Sequence, residues 1–254
     1  MTRIAGHHIV RTKCCKTFFS TLAYSSMNFS AREHWTDGAT VDSLTPSTGG
    51  LCCCTCGGYF LINDAEVVET VRTPKPFPPK DWNDDAPHFL MLPGETTQQY
   101  KNRMYDTRPI EVIEAERIPL PQKIIFVKDN ELIQVIESSP SNPSLLLVAR
   151  RRYWRHLNEP YRQAYRLLRE TDKDSFPAFM PTETQLNNMQ QILALIKQKE
   201  NPNWFEVCEL CREMSKFDEA KQALDLANGL EPRLLTMMNS LIDKKVNCPV
   251  RYRL

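Results

Sequence analysis

The sequence has no apolar run of about 18 residues, the length that a membrane-spanning helix requires. Its first fifteen residues carry basic side chains but no apolar stretch, so we expect no secretory signal. The charges nearly balance, with 32 Lys and Arg against 31 Asp and Glu, and no global field therefore favours nucleic acid or anionic lipid. These absences predict a cytoplasmic chain that does not bind membranes.

Familiar catalytic patterns are also absent. The sequence contains no G-x-S-x-G, no P-loop, no dinucleotide-binding fingerprint and no H-E-x-x-H. An enzyme would therefore have to assemble its site from scattered residues, and the sequence indicates no small-molecule substrate. We expect a protein that is not an enzyme, and an enzyme with an unrecognised site remains an alternative.

Three segments follow from composition and periodicity. Residues 1–72 combine short β-prone stretches with most of the cysteines, and residues 73–143 hold many of the 18 prolines and form a predicted linker. Within this linker, two apolar runs at 123–136 flank Asp129-Asn130, which predicts a hairpin or an amphipathic helix. Residues 144–254 show helical periodicity. The predicted fold class is α+β.

Local signals refine this pattern. Asn63-Asp64 predicts the start of a short helix, and Thr182 with Gln185 predicts a capping box at the start of a longer one. Pro160 is expected to break or restart the helix around it, since proline cannot donate a backbone hydrogen bond. Asp37-Gly38 predicts a hairpin turn, and Trp35 is expected to pack beside the cysteine-containing module. Alternatively, His34, Trp35 and Asp37 form part of a ligand pocket.

The nine cysteines are unevenly distributed. A secreted disulfide framework usually has spread, even-numbered cysteines, whereas tight clusters are typical of metal ligands and buried thiols. The groups are Cys14-Cys15, Cys52-Cys53-Cys54 with Cys56, Cys208 with Cys211, and Cys248. The densest of these ends in Cys53-Cys54-Thr55-Cys56-Gly57, a C-x-x-C-G pattern in which a tight turn can present two thiolates to one ion.

With Cys14 and Cys15 about forty residues upstream, residues 8–62 resemble the zinc-ribbon family. That resemblance implies one structural Zn²⁺ held by two cysteine pairs. Adjacent Cys14-Cys15 departs from the regular C-x-x-C of a first pair. The favoured ligands are Cys14, Cys15, Cys53 and Cys56, and the substitutes are His8, Cys52 and Cys54. Four thiolates would leave no open position for a catalytic water.

The segment from Trp204 to Pro232 resembles one tetratricopeptide repeat, with Cys208 and Ala220 at small-residue positions and Pro232 after the second helix. This resemblance implies two closely packed antiparallel helices in a short or degenerate array that binds a protein segment. Cys208 and Cys211 then fall on the packed face, where cysteine behaves as a small apolar residue.

A basic run lies at the start of the helical segment. Arg150, Arg151, Arg152, Trp154 and Arg155 form a candidate binding patch, because arginine beside aromatic residues can hold phosphates and stack on bases. A solvated helix face with Trp154 turned inward explains the same pattern. The leading interpretation is a protein-interaction or adaptor protein with a structural zinc site and an unidentified protein partner. The alternative is a nucleic-acid-associated factor that uses the ribbon and this patch.

Overall fold

The computed structural model describes residues 3–26, 33–41, 50–72, 96, 99, 120–139, 141–172 and 174–252. The chain divides into two compact units, one formed by residues 1–27 and 64–124 and the other by residues 28–63 and 125–254. Nearly all of the proline-rich stretch at 73–119 lies outside the described residues. The predicted boundaries at 72/73 and 143/144 therefore stay predictions.

The first unit contains a three-stranded antiparallel sheet in the order β2-β1-β7. Its strands are β1 (Arg3–Arg11), β2 (Phe18–Ser26) and β7 (Glu66–Arg72). Val10 and Phe19 are paired in the β1–β2 register, and both are buried. At the β2 edge of the sheet, the Ser20 hydroxyl donates to the Pro121 carbonyl at 2.8 Å.

The prediction of a short helix starting at Asn63-Asp64 is wrong. A single 3₁₀ turn at Ile62–Asp64 is followed by β7, which pairs with β1. The β-branched side chains of this segment favour an extended backbone, and β1 supplies the hydrogen-bonding partner that a local capping signal ignores. At the end of the ladder, Arg11 and Glu66 form an ion pair with a distance of 2.5 Å between Nη2 and Oε2.

The second unit contains two further three-stranded sheets, in the orders β4-β3-β9 and β6-β5-β8. Their strands are β3 (Glu33–Trp35), β4 (Thr40–Val41), β5 (Leu51–Cys53), β6 (Tyr59–Leu61), β8 (Ile125–Phe126) and β9 (Arg251–Tyr252). Asp37-Gly38 turns the β3–β4 hairpin, as predicted. The Gly38 amide donates to the Trp35 carbonyl at 2.8 Å, and the Trp35 side chain is fully buried.

Six α-helices follow in the described part of the second unit. They are α1 (Leu132–Ser138), α2 (Pro143–Thr171), α3 (Glu183–Lys197), α4 (Trp204–Glu213), α5 (Phe217–Leu226) and α6 (Pro232–Asp243). The hairpin interpretation of 123–136 is wrong, because only the first apolar run forms a strand, β8. The second run forms α1, which buries Leu132 and Val135.

The predicted break at Pro160 is also wrong, since α2 runs through it for 29 residues. Proline costs the helix one backbone hydrogen bond, but side chains on both sides of it are anchored to the same group. Asn158 and Arg162 both donate to the carboxylate of Asp37. These tertiary contacts hold the two halves of α2 in one helix.

The helical core buries apolar side chains from α2 to α6, including Leu147, Met189, Leu210, Leu224 and Met238. The capping box predicted at α3 is confirmed, because Thr182 and Gln185 cap each other's backbone amides. These helices and the small antiparallel sheets confirm the α+β class. No helix in the described ranges combines the length and apolar character needed to cross a bilayer.

Candidate metal centre

Cys14 and Cys15 lie in the turn that joins β1 to β2. The Thr12 amide donates to the Thr17 carbonyl at 3.0 Å, and the Lys16 amide donates to the Thr12 carbonyl at 3.1 Å. Lys16 adopts a left-handed conformation with φ of 60°, which is uncommon for a residue with a side chain. Adjacent residues can bind one ion only if the backbone brings their side chains together. This turn does so, because the Cys14 and Cys15 sulfurs lie 3.9 Å from each other.

Cys54 and Cys56 lie in the turn that joins β5 to β6. The Cys54 amide donates to the Gly58 carbonyl at 2.8 Å, and the Gly57 amide donates to the Cys54 carbonyl at 3.0 Å. Gly57 has φ of +80°, a conformation that residues with a Cβ rarely adopt. Glycine at position 57 therefore lets this turn form without backbone strain.

The sulfur atoms of Cys14, Cys15, Cys54 and Cys56 all lie within 4.8 Å of one another. This cluster of cysteines can hold a metal ion. In a tetrahedral site with Zn–S bonds of about 2.3 Å, two sulfurs are about 3.8 Å apart. The separation of 3.9 Å between the Cys14 and Cys15 sulfurs is close to that length.

Hydroxyl groups surround one of these sulfurs. The Cys15 sulfur lies 3.0 Å from the Thr17 hydroxyl and 3.5 Å from the hydroxyl of Thr12, whose side chain is buried. Hydroxyls that donate to a thiolate stabilise its charge and fix the orientation of a metal ligand. The turn therefore offers both ligands and the groups that support them.

The cluster differs from the favoured ligand set at one position, because it contains Cys54 and not Cys53. Successive side chains of a strand point to opposite faces, and Cys53 packs in the small core beside Leu51 and Tyr59. Burial raises the pKa of Cys53, and Glu131 adds to that rise. The Cys53 sulfur is not among the four that converge.

The other two substitutes lie outside the cluster. Cys52 is fully buried, its thiol donates to the Gly50 carbonyl at 3.3 Å, and burial raises its pKa to about 12. The imidazole Nδ1 of His8 lies 2.9 Å from the hydroxyl of Thr70 on the neighbouring strand. Of the predicted substitutes, the structure places only Cys54 with the other sulfurs.

Cys208 and Cys211 are core residues, as predicted. Cys208 and Cys211 on α4 are buried in the helical core, and so is Cys248. Burial raises the pKa of Cys208 and of Cys248 to about 12 and also raises that of Cys211. These thiols are therefore neutral at physiological pH and contribute to packing.

The predicted basic patch on α2 is largely engaged with the protein itself. Arg151 forms an ion pair with Glu206 of α4, and the Arg150 guanidinium donates to Asn188 of α3 at 3.2 Å. These contacts join three helices. Two of the five patch residues thus stabilise helix packing.

Two further patch residues are buried. Arg152 donates to the Val127 carbonyl at 3.0 Å and to the Asp129 carboxylate at 2.5 Å. The Trp154 indole is buried and donates to the Glu213 carboxylate at 2.7 Å. Trp154 is therefore turned inward, as the solvated-face interpretation expects, and is not exposed for stacking on a base.

A buried polar network lies next to this patch, and sequence reasoning did not identify it. Asp37, Asn158, Arg162 and Glu213 are all buried, and Asn158 bridges the carboxylates of Asp37 and Glu213 at 3.1 and 3.0 Å. Burial raises the pKa of Glu213 well above its usual range. The only sequence signal was the turn at Asp37-Gly38, which does not reveal that its carboxylate points into the core.

A second buried pair lies nearby, where Arg212 and Glu209 are fully enclosed on α4. The Arg212 guanidinium also donates to the carbonyls of Val246 and Cys248. It ties the segment after α6 to the helical core.

In comparisons with protein-family models, curated protein sequences and solved structures, nothing matches this chain.

Proposed function

We propose that this chain is a non-enzymatic protein in which Cys14, Cys15, Cys54 and Cys56 hold one structural Zn²⁺. The observation that carries the proposal is the convergence of four cysteine sulfurs within 4.8 Å. Four soft sulfur ligands within 4.8 Å of one another suit Zn²⁺ or an iron centre, and they disfavour Mg²⁺ and Ca²⁺. Zinc is the ion expected from two cysteine-bearing turns at the ends of hairpins.

The donor set supports a structural role for the ion and not a catalytic one. A catalytic zinc usually has three protein ligands and one open position for water or substrate. Four thiolates would complete the coordination shell, and they would supply folding free energy to the turns that carry them. Lys13 and Lys16, both exposed beside the first cysteine pair, would offset part of the thiolate charge.

The test is the metal content of purified protein, measured by native mass spectrometry and by elemental analysis. Wild type is compared with Cys54→Ser/Cys56→Ser and with the neighbouring control Cys53→Ser. We expect about one zinc per chain in wild type and in the control, and none in the double variant. The Cys53 control matters because it separates the observed cluster from the C-x-x-C set that includes Cys53.

Metal-free wild type, prepared without chelator and failing to bind added Zn²⁺, would refute the metal site. Zinc loss in Cys53→Ser with retention in a single Cys54→Ser variant would instead restore the ligand set favoured from sequence. Iron in place of zinc would keep the ligands and change the identity of the ion.

The second part of the proposal is a protein-interaction role for the helical region in the cytoplasm. The support is the pairing of α4 with α5, in which Cys208 and Ala220 are fully buried, as expected for a tetratricopeptide-like unit. Leu226 near the end of α5 is half-exposed. Affinity capture with wild type and with Leu226→Ser tests whether a partner protein contacts the end of α5. Leu167→Ser is the control. Equal capture of the partner by all three proteins would argue against a contact at the end of α5.

A further inference from the structure

A cavity of about 260 Å³ lies in the second unit, between the turn of the β3–β4 hairpin and one face of α2. Its charged lining consists of Asp129, Arg152, Arg155, His156, Glu159 and Arg162. Residues 38–41 of the hairpin complete the wall. The cavity is smaller than the pockets that usually hold drug-sized ligands, so an occupant must be small.

The carboxylates around this cavity already have arginine partners. Asp129 accepts from Arg152 at 2.5 Å, and Glu159 accepts from Arg162 at 2.9 Å. The buried carboxylate of Asp37 lies behind the wall and also pairs with Arg162. The carboxylates of the lining are therefore paired with Arg152 and Arg162.

Arg155 differs from these two arginines. Its Nε donates to the backbone carbonyl of Asp37 at 3.2 Å, and that is the one hydrogen bond of its side chain across the described ranges. Its Nη2 lies only 2.9 Å from where a Cβ on Gly38 would be, so the guanidinium is seated against the hairpin backbone. Burial lowers the pKa of Arg155, although Asp37 opposes that effect. Asp37 and Glu206 act on Arg155 only through space, because among the described residues no carboxylate accepts a hydrogen bond from its guanidinium. This guanidinium lines the cavity.

We propose that this cavity binds a small phosphate-type oxyanion, with Arg155 as the principal ligand. A guanidinium presents parallel N–H groups that match two oxygens of such an anion. Thr40 and the half-exposed His156 belong to the same lining and carry groups that can donate hydrogen bonds, and His156 Nδ1 lies 3.9 Å from the Asp129 carboxylate. Donors in several directions suit a tetrahedral anion better than a planar carboxylate. The site is independent of the cysteine cluster.

The test is isothermal titration of the whole chain, purified without chelator, with inorganic phosphate at low ionic strength. Wild type is compared with Arg155→Gln and with Thr40→Val, which removes a donor and leaves the arginines untouched. Arg150→Gln is the matched control, because Arg150 lies on the same helix and donates to Asn188 outside the cavity lining. Circular dichroism checks that each variant is folded.

We expect saturable binding of one phosphate per chain, weakened about tenfold or more by Arg155→Gln and by a smaller factor by Thr40→Val. Arg150→Gln should bind like wild type, and acetate should bind more weakly than phosphate. Absence of saturable phosphate binding to wild type, or equal binding by all variants, would overturn the proposal. The proposal would also be overturned if a single-stranded oligonucleotide bound through Arg155 and inorganic phosphate did not bind. If Arg155→Gln is unfolded, the Thr40→Val variant decides. The proposal is overturned if Thr40→Val binds phosphate as tightly as wild type and wild type binds acetate more tightly than phosphate.

Discussion

Asp37 and Arg162 form an ion pair that is almost entirely shielded from solvent, with side-chain exposures of 0% and 5%. The pair joins the β3–β4 turn to the middle of α2. Removing one member of a buried pair leaves the other charge in a poorly solvating environment, which typically costs about 3–5 kcal/mol. This pair is therefore a point at which a single substitution should disturb the whole second unit.

We expect Asp37→Asn to lower the free energy of unfolding by about 3–5 kcal/mol, because Arg162 and Asn158 would then face an amide in place of a carboxylate. Denaturant titration measures this change. Glu66→Gln is the control, since Glu66 and its partner Arg11 are both half-exposed and the loss of their ion pair should cost about 1 kcal/mol or less. Similar losses of unfolding free energy in the two variants would show that the buried pair stabilises the fold no more than an exposed pair does.

Pro160→Ala should raise the free energy of unfolding by about 1–3 kcal/mol. Alanine restores the backbone donor that proline lacks, and Pro160 is exposed, so the change removes no buried contact. The substitution is compared by denaturant titration with Glu170→Ala, an exposed position near the end of the same helix. A destabilised Pro160→Ala would indicate that the proline shapes α2 in a way the core requires.

Gly57→Ala should weaken zinc binding by about tenfold, because alanine at φ of +80° costs roughly 1–2 kcal/mol in the turn that carries Cys54 and Cys56. Competition with a chromophoric chelator measures the affinity. Gly58→Ala is the neighbouring control. A Cβ there meets the Cys56 sulfur at 3.5 Å, an ordinary contact, so its affinity should be close to wild type.

Chelation should destabilise wild type but not a variant that cannot bind the ion. We expect removal of zinc to lower the melting temperature of wild type by about 5 °C or more, since a metal that binds only the folded state stabilises it. Thermal unfolding of Cys54→Ser/Cys56→Ser should be insensitive to chelator. An equal response of both proteins would place the chelator's effect elsewhere.

The buried carboxyl of Glu213 predicts a pH dependence of stability. Burial raises its pKa in the folded state, with the negative charges of Glu209 and Asp37 adding to the rise. The folded state then holds a proton that the unfolded state has released, so stability is greatest below the unfolded pKa of about 4.5 and falls as pH rises towards the folded pKa.

Comparison of wild type with Glu213→Gln between pH 5 and 8 isolates this contribution. Glutamine cannot ionise and keeps an acceptor for the Trp154 indole. We expect the wild-type free energy of unfolding to decline relative to the variant as pH rises, by up to about 1.4 kcal/mol per pH unit. Parallel profiles would mean that Glu213 ionises alike in both states.

Features encoded by neighbouring residues were predictable from sequence. Thr182 and Gln185 start α3 through contacts within four residues. The period of α4 placed Cys208 and Cys211 on its packed face. Each of these predictions depends on geometry within one helix, so no knowledge of the rest of the fold was needed.

Features that depend on distant partners were not predictable. Asp37 meets Arg162 across 125 residues of sequence, and no local pattern marks either as a member of a pair. Cys54 takes the place favoured for Cys53 because the register of β5 with β6 decides which sulfur points to which face. The turn around Lys16, with its left-handed backbone, is likewise invisible in the order of residues.

The pairing of β9 with β3 has a consequence for how the protein is made. Arg251 and Glu33 form an ion pair across 218 residues, and their strands share one sheet. On a ribosome, where chains emerge from the amino end, Glu33 is exposed long before its partner strand exists. The edge of β3 that faces β9 therefore lacks its native hydrogen-bonding partner until β9 has been synthesised, and an unpaired strand edge can pair with other chains.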